Sequence, residues 1–255
     1  MPINDNNSAD KGSITVVGLG PGGSEWMSKR GAAALQAADT IVGYSTYLAL
    51  IPDLLIGKEV IGTGMMQEVE RCQEAVDNAL KGKKTAVISS GDPGIYGMAG
   101  LVLELAMKVE ASARPDVEIV PGISAVNAAA AILGAPLMHD FVVISMSDLL
   151  TPLELIYKRA RMAAQGDFVT AVYNPKSTKR TYQIEKLREI FLQYRDKHTP
   201  VGIVNHAMRE KQSAVLSDLE RFTHESIDMF SLVIIGNSQT YVQEGKMITP
   251  RGYRL

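Results

Sequence analysis

Glycines and polar residues able to meet a ligand gather in five short stretches, each following an apolar run. They are "GLGPGG" (18–23), "GDPGIYGMAG" (91–100), "PGISA" (121–125), "NPKSTKR" (174–180) and "NHAMREKQ" (205–212). Glycine lets backbone approach a ligand closely, while Asp92, Ser124 and Asn174 can bond a ligand or simply start a turn or cap a helix. Gly18, Gly20 and Gly23 also spell G-x-G-x-x-G, a spacing used around dinucleotide phosphates. That use needs a helix opening on the glycines and an acid ending the second strand. Here "TIVG" (40–43) runs into "YSTY" without an acid, and Asp39 precedes the strand. Pro21 also removes an N–H that a phosphate would use. An NAD-dependent oxidoreductase therefore rests on the spacing alone. The flanking sequence favours a tight strand-to-helix turn.

Other chemistries find little support. His139, His198, His206 and His224 lie far apart, no C-x-x-C or H-E-x-x-H spacing occurs, and no protein-bound metal is expected. A G-x-S-x-G elbow is missing. Cys72 is the only cysteine, so no intramolecular disulfide can form, and a reducing cytoplasmic setting is expected. With 26 basic and 28 acidic side chains the net charge is -2, which argues against a nucleic-acid partner. No apolar run approaches the roughly 18 residues of a membrane span, and no membrane partner is expected.

The elements that must position these loops alternate. Apolar β-branched runs at 14–17, 40–43, 59–62, 85–90 and 117–120 read as strands. Helical patterns lie between them. One follows the first glycines, with Ser24 as its expected cap; others cover 66–81, 97–109 and 125–134. The strands lack clean alternation, as expected of a parallel sheet covered on both faces. A second set follows "LGAPLMHDF": strands at 141–145, 168–173, 200–204, 213–219 and 231–236, with helices at 152–165 and 179–195. Its adjacent late strands suggest a mixed sheet. The fold class expected is α/β, with two α/β domains and the active-site cleft between them. The expected boundaries are a flexible tail at 1–12, an N-terminal domain at 13–138 and a C-terminal domain at 139–255.

The segments "VGLGPGG", "SSGDPGIYGMAG", "PGISAVNAAAAILGAPLMHDF", "SMSDLLTP", "YNPKS" and "MITPRGY" together resemble the class III, tetrapyrrole-type methyltransferases. The resemblance spans residues 14 to 255 and is strongest to the branch that methylates carbon 17 of a precorrin and contracts the macrocycle. It implies S-adenosylmethionine as methyl donor, bound at Pro21, Ser90, Gly91, Asp92, Ile95, Ser124, Ala125, Tyr173, Asn174 and Ala207. It further implies a tetrapyrrole acceptor, precorrin-3B or cobalt-factor III, and a homodimer. Gly20 and Pro21 would then border the acceptor. Ser147, Asp148 and Thr151 would bond the acceptor or cap the helix from Pro152, with Ser147 and Asp148 as catalytic candidates. His139, titratable near neutrality, would assist the rearrangement or serve as a hinge bonded to backbone. Lys176, Lys179, Arg180 and Arg251 are the cations available to carboxylate arms, Arg251 foremost. Three alternatives stay open: another acceptor on the same fold, the NAD enzyme, and a non-catalytic tetrapyrrole carrier.

Overall fold

The computed structural model describes residues 11–254. Contacts divide the chain at Ala125/Val126 into two compact units. The expected division at 138/139 lies later, because the helix after Ser124 packs with the second unit. Residues 1–10 of the expected tail lie outside the described residues. Gly12 does not belong to a tail: it is buried, and a Cβ there would sit 2.1 Å from the Ala79 carbonyl oxygen.

The first unit contains β1 (Ser13–Gly18), α1 (Lys29–Ala37), β2 (Thr40–Tyr44), α2 (Ser45–Leu48), β3 (Glu59–Thr63), α3 (Glu68–Leu80), β4 (Lys84–Ser89), α4 (Ala99–Met107) and β5 (Asp116–Val120). The strands form one parallel sheet in the order β3-β2-β4-β1-β5. Both faces are covered. Val16, Val42 and Val87 pack with Cys72 and Val76 of α3 and Val102 of α4, while Val17, Ile41 and Ile88 pack with Leu35 of α1. Neighbouring residues of one strand thus serve opposite cores, which explains the continuous apolar runs. The cap of α1 differs from expectation. A 3-10 turn occupies Ser24–Trp26 without a side-chain cap, and Ser28 Oγ instead accepts the Gly31 N–H at 3.0 Å.

The second unit takes up α5 (Ala125–Leu133) from Val126 onward. It continues through β6 (Gly134–Ala135), β7 (Phe141–Ser145), α6 (Leu153–Gln165), β8 (Val169–Tyr173) and α7 (Gln183–Leu192). β9 (Pro200–Asn205), β10 (Ser213–Asp218), β11 (Ser231–Ile235), β12 (Tyr241–Gln243) and β13 (Lys246–Ile248) complete it. Its five-stranded sheet has the order β10-β9-β11-β8-β7 and is mixed, as expected: β7 and β8 run parallel and the other pairs antiparallel. α6 and α7 cover one face through Ile156, Ala160, Leu187 and Phe191. Leu133 of α5 reaches β9 at Gly202, where a Cβ would meet it at 2.4 Å. β12, β13 and β6 form a small third sheet that the sequence reading did not anticipate. No helix among the described residues is long and apolar enough to cross a membrane.

Cys72 sits fully inside the α3–sheet core, and burial pushes its thiol up to about 11. The fold therefore holds the thiol neutral, and this contribution to stability is lost as pH rises from about 8.5 towards the raised value. A thiol reagent at pH 8 should leave the folded protein unlabelled and react with one equivalent in denaturant. Labelling at equal rates in both states would contradict this placement.

Candidate active site

The loops after β1, β4 and β5 are stitched into one edge of the first unit. Gly20 and Gly91 form an isolated bridge in which each N–H donates to the other's carbonyl, at 3.1 and 2.8 Å. Both have positive φ, +77° and +66°, which only glycine adopts without strain. Gly18 and Gly122 have another reason to lack a side chain. A Cβ on Gly122 would lie 2.2 Å from the Gly91 oxygen, and one on Gly18 would lie 2.7 Å from both Gly91 O and Gly122 N. Asp92 closes the arrangement. Its Oδ1 accepts the Gly94 N–H at 2.8 Å and its Oδ2 accepts the Gly122 N–H at 3.1 Å. Of the readings the sequence leaves open for Asp92, bonding a ligand or starting a turn, these two bonds carry the second.

These bonds also remove the basis for a dinucleotide cradle. The N–H groups of Gly20, Gly91 and Gly122 are spent within the loops, and α1 begins only at Lys29. What remains at this edge is Gly91 without a side chain, half-buried Ala125, buried Pro21 and Ser124, and Ile95 with 36% of its surface exposed. Ser90 is half-buried beside Gly91.

The second unit also gathers polar groups at one edge of its main sheet. Asn174 follows β8 with φ +49°, and its amide donates to Ser145 Oγ at the end of β7 at 3.0 Å. Ser145 Oγ also accepts the Ser147 N–H at 3.2 Å. Tyr173 OH accepts the Val126 N–H in the first turn of α5 at 3.0 Å. Arg180 is buried and donates to the Asn174 carbonyl at 3.0 Å, while Lys176 is half-buried and Lys179 exposed. Asp148 is exposed and receives the buried Gln183 amide at 3.4 Å. No side chain caps α6, so Ser147, Asp148 and half-buried Thr151 do not act as its cap. Ala207 follows β9 between His206 and Met208, which have φ +48° and +57°. Positive φ at three non-glycine residues on this edge marks backbone held against its preference. The sequence reading missed Ser145 and His206, the latter stacked on Phe230 at 4.7 Å. Ser145 carried no signal of its own, whereas "NHAM" after an apolar run pointed to the turn.

Two expected residues fall elsewhere. His139 precedes β7 and Ser147 follows it, and the strand alone separates its ends by roughly 13 Å. His139 therefore does not join Ser147 and Asp148. It lines a groove of about 320 Å³ with Arg251, Asn237 and Gln239 at the opposite edge of the sheet. Its Nδ1 accepts the Asp140 N–H at 2.9 Å, the backbone-bonded arrangement among its two readings. Arg251, the cation favoured from sequence, belongs to this groove too. Among the described residues no group of His, Cys, Asp and Glu is arranged to hold a metal ion.

A parallel glycine-looped α/β unit followed by a mixed-sheet α/β unit is the fold of a known class of transferases, and comparison defines it. Residues 13–223 match the family described as Tetrapyrrole (Corrin/Porphyrin) Methylases. The chain belongs to this family. It is 49% identical over 246 residues to the cobalt-factor III methyltransferase of Priestia megaterium, covering 96% of this chain but 46% of that protein. The chain thus spans about half the length of that relative. It is also 49% identical over 242 residues to a probable cobalt-factor III C(17)-methyltransferase of Salmonella typhimurium, covering 95% of this chain and 100% of that one. Among solved structures, the methyltransferase CobJ superimposes with a TM-score of 0.87 at 35% identity, over 94% of this chain and 100% of that one.

The glycine contacts give a direct test. Gly122→Ala should cost about 2–3 kcal/mol by overpacking and should impair any ligand bound at this edge. Gly100→Ala, in α4 where nothing lies within 4 Å of an added Cβ, should stabilise by about 0.5–1 kcal/mol. Urea unfolding of both variants measures the contrast. Equal effects would remove the packing argument.

Proposed function

We propose that this chain is an S-adenosylmethionine-dependent C-methyltransferase. It methylates carbon 17 of a precorrin or cobalt-precorrin, with contraction of the macrocycle, in cobalamin biosynthesis. The observation that carries this reading is the 49% identity over the full length of the Salmonella relative. In this reading any cobalt belongs to the substrate. The working enzyme is read as a pair of identical chains, a state that sedimentation would measure.

The residues present suit such a donor. Ala125 is small, and Ile95 offers an exposed apolar face for a nucleoside. Once bound, the donor supplies a methyl group already activated on a sulfonium. The protein's part is then to position and to exclude water. Pro21, Ser90, Gly91, Ile95, Ser124 and Ala125 are assigned to donor contact, with Asp92 bracing their loops. Tyr173, Asn174 and Ala207 are assigned to the same ligand, with Gly20, Ser147, Asp148 and Thr151 towards the acceptor. Asp148, exposed and acceptor-rich, is read here as the group that bonds pyrrole N–H groups. His139 and Arg251 are left out, because the groove they share lies at the other edge of their sheet.

The deciding experiment incubates the protein with S-adenosylmethionine and either cobalt-factor III or precorrin-3B, followed by absorption and mass. Gain of one methyl group by either acceptor, with a changed chromophore, is expected. Absence of transfer to both would refute the function and leave the fold intact. Asp92→Ala should weaken S-adenosylhomocysteine binding roughly tenfold by freeing the Gly122 loop, whereas an unchanged affinity would remove Asp92 from the site.

A further inference from the structure

Arg180 is the buried cation of the second unit without an anion. It is 8% exposed, and its Nη2 donates to the Asn174 carbonyl at 3.0 Å and lies 3.5 Å from Met229 Sδ. Its Nε is buried with no partner, and it forms no ion pair among the described residues. The other two buried arginines differ. Arg71 spends Nε and Nη2 on Thr63 and the Gly64 carbonyl. Arg195 donates to the carbonyls of Gly236, Ala163 and Phe168, with Asp167 at 3.5 Å from its Nε. The loop itself holds Arg180 in place. The Ser177 N–H donates to the Arg180 carbonyl at 2.9 Å, and the Arg180 N–H donates to Ser177 Oγ at 3.1 Å.

A guanidinium does not shed its proton to escape burial, so unpartnered buried N–H groups on it are costly until a polar acceptor meets them, and an anion meets the charge as well. No side chain of the described residues supplies one. The charge sits one hydrogen bond from Asn174, on the polar edge assigned above to ligand. We propose that Arg180 is an anion anchor that takes a carboxylate of the bound ligand through its unspent N–H groups. The inference rests on the proposed function, whose two ligands both carry carboxylates: the amino-acid end of the donor and the side arms of the tetrapyrrole. Arg180 replaces Arg251 in this role, and the exposed Lys179 on the same loop stays in solvent.

The test compares wild type, Arg180→Met and Arg180→Lys by calorimetric titration with S-adenosylhomocysteine and with 5′-methylthioadenosine, which lacks the carboxylate. Kinetics with the tetrapyrrole acceptor run alongside. If the donor supplies the carboxylate, Arg180→Met should weaken S-adenosylhomocysteine roughly tenfold to hundredfold and leave methylthioadenosine unchanged. If the acceptor supplies it, both nucleosides should bind as to wild type, and KM for the tetrapyrrole should rise by a similar factor with kcat held. Either pattern supports the anchor, and Arg180→Lys, which keeps the charge, should recover part of the loss. Should Arg180→Met fail to fold, the lysine variant carries the same comparison. Equal loss of both nucleosides, or no change in any of these quantities, overturns the anchor alone. A wild-type protein that binds neither nucleoside overturns the proposed function and the anchor with it.

Discussion

At Gly122 the backbone of one loop lies so close to Gly91 and Gly18 that no Cβ fits between them, and the first unit's polar edge follows from that contact. The sheet order puts β1 between β4 and β5, so the loops leaving these three strands are neighbours before any side chain is considered. Their glycines then let the backbones interlock, through the Gly20–Gly91 bridge and the Asp92 brace. Polar backbone groups at such an edge must be paired, and here they pair with one another. A surface built this way is held by hydrogen bonds between separate loops. That is the condition for a site that positions a reactive partner without supplying a reactive group of its own.

The second unit reaches a similar end by a different route. Its edge has no interlocked glycines and is organised by side chains bonded to backbone: Asn174 to Ser145, Arg180 to Asn174, and Tyr173 to the start of α5. Left-handed backbone at Asn174, His206 and Met208 is tolerated because each turn is tied down. The His206 N–H donates to the Phe230 carbonyl, and the Met208 N–H donates to the Gln212 side chain. Strain of this kind persists only where surroundings over-determine it. Arg180 donates to the Asn174 carbonyl, which brings its charge to the same edge.

The sheets and their long helices were legible in the sequence because burial on both faces leaves unbroken Val and Ile runs, as in β1 and β4. The loops were legible because Gly, Pro and Asn mark them. What could not be read was pairing. β12 and β13 are three residues each, too short for periodicity, and are joined through Glu244 and Gly245, both at positive φ. That two-residue hairpin has the left-handed pair its turn type requires, but "EG" is a weak signal for it. Ser24 was the cap expected, but a 3-10 turn occupies Ser24–Trp26 and the cap of α1 falls to Ser28. Burial of Arg180 beside exposed Lys179 was likewise invisible, since both stand in one polar loop.

Strand direction explains why the expected catalytic set came apart. "MHDF" and "SDLLTP" look adjacent in sequence, yet β7 lies between them, and a strand carries whatever precedes and follows it to opposite edges of its sheet. The converse holds for His139 and Arg251, more than a hundred residues apart. β13 pairs in parallel with β6, Met247 opposite Gly134 and Ile248 opposite Ala135. The Thr249 N–H then donates to the Ala135 carbonyl at 3.1 Å, which brings the segment leading to Arg251 alongside the one leading to His139. The two motifs therefore meet through a two-residue strand that no periodicity could disclose. Residue types named the chemistry available to this chain; the polarity of its strands decides which of those residues can share a ligand.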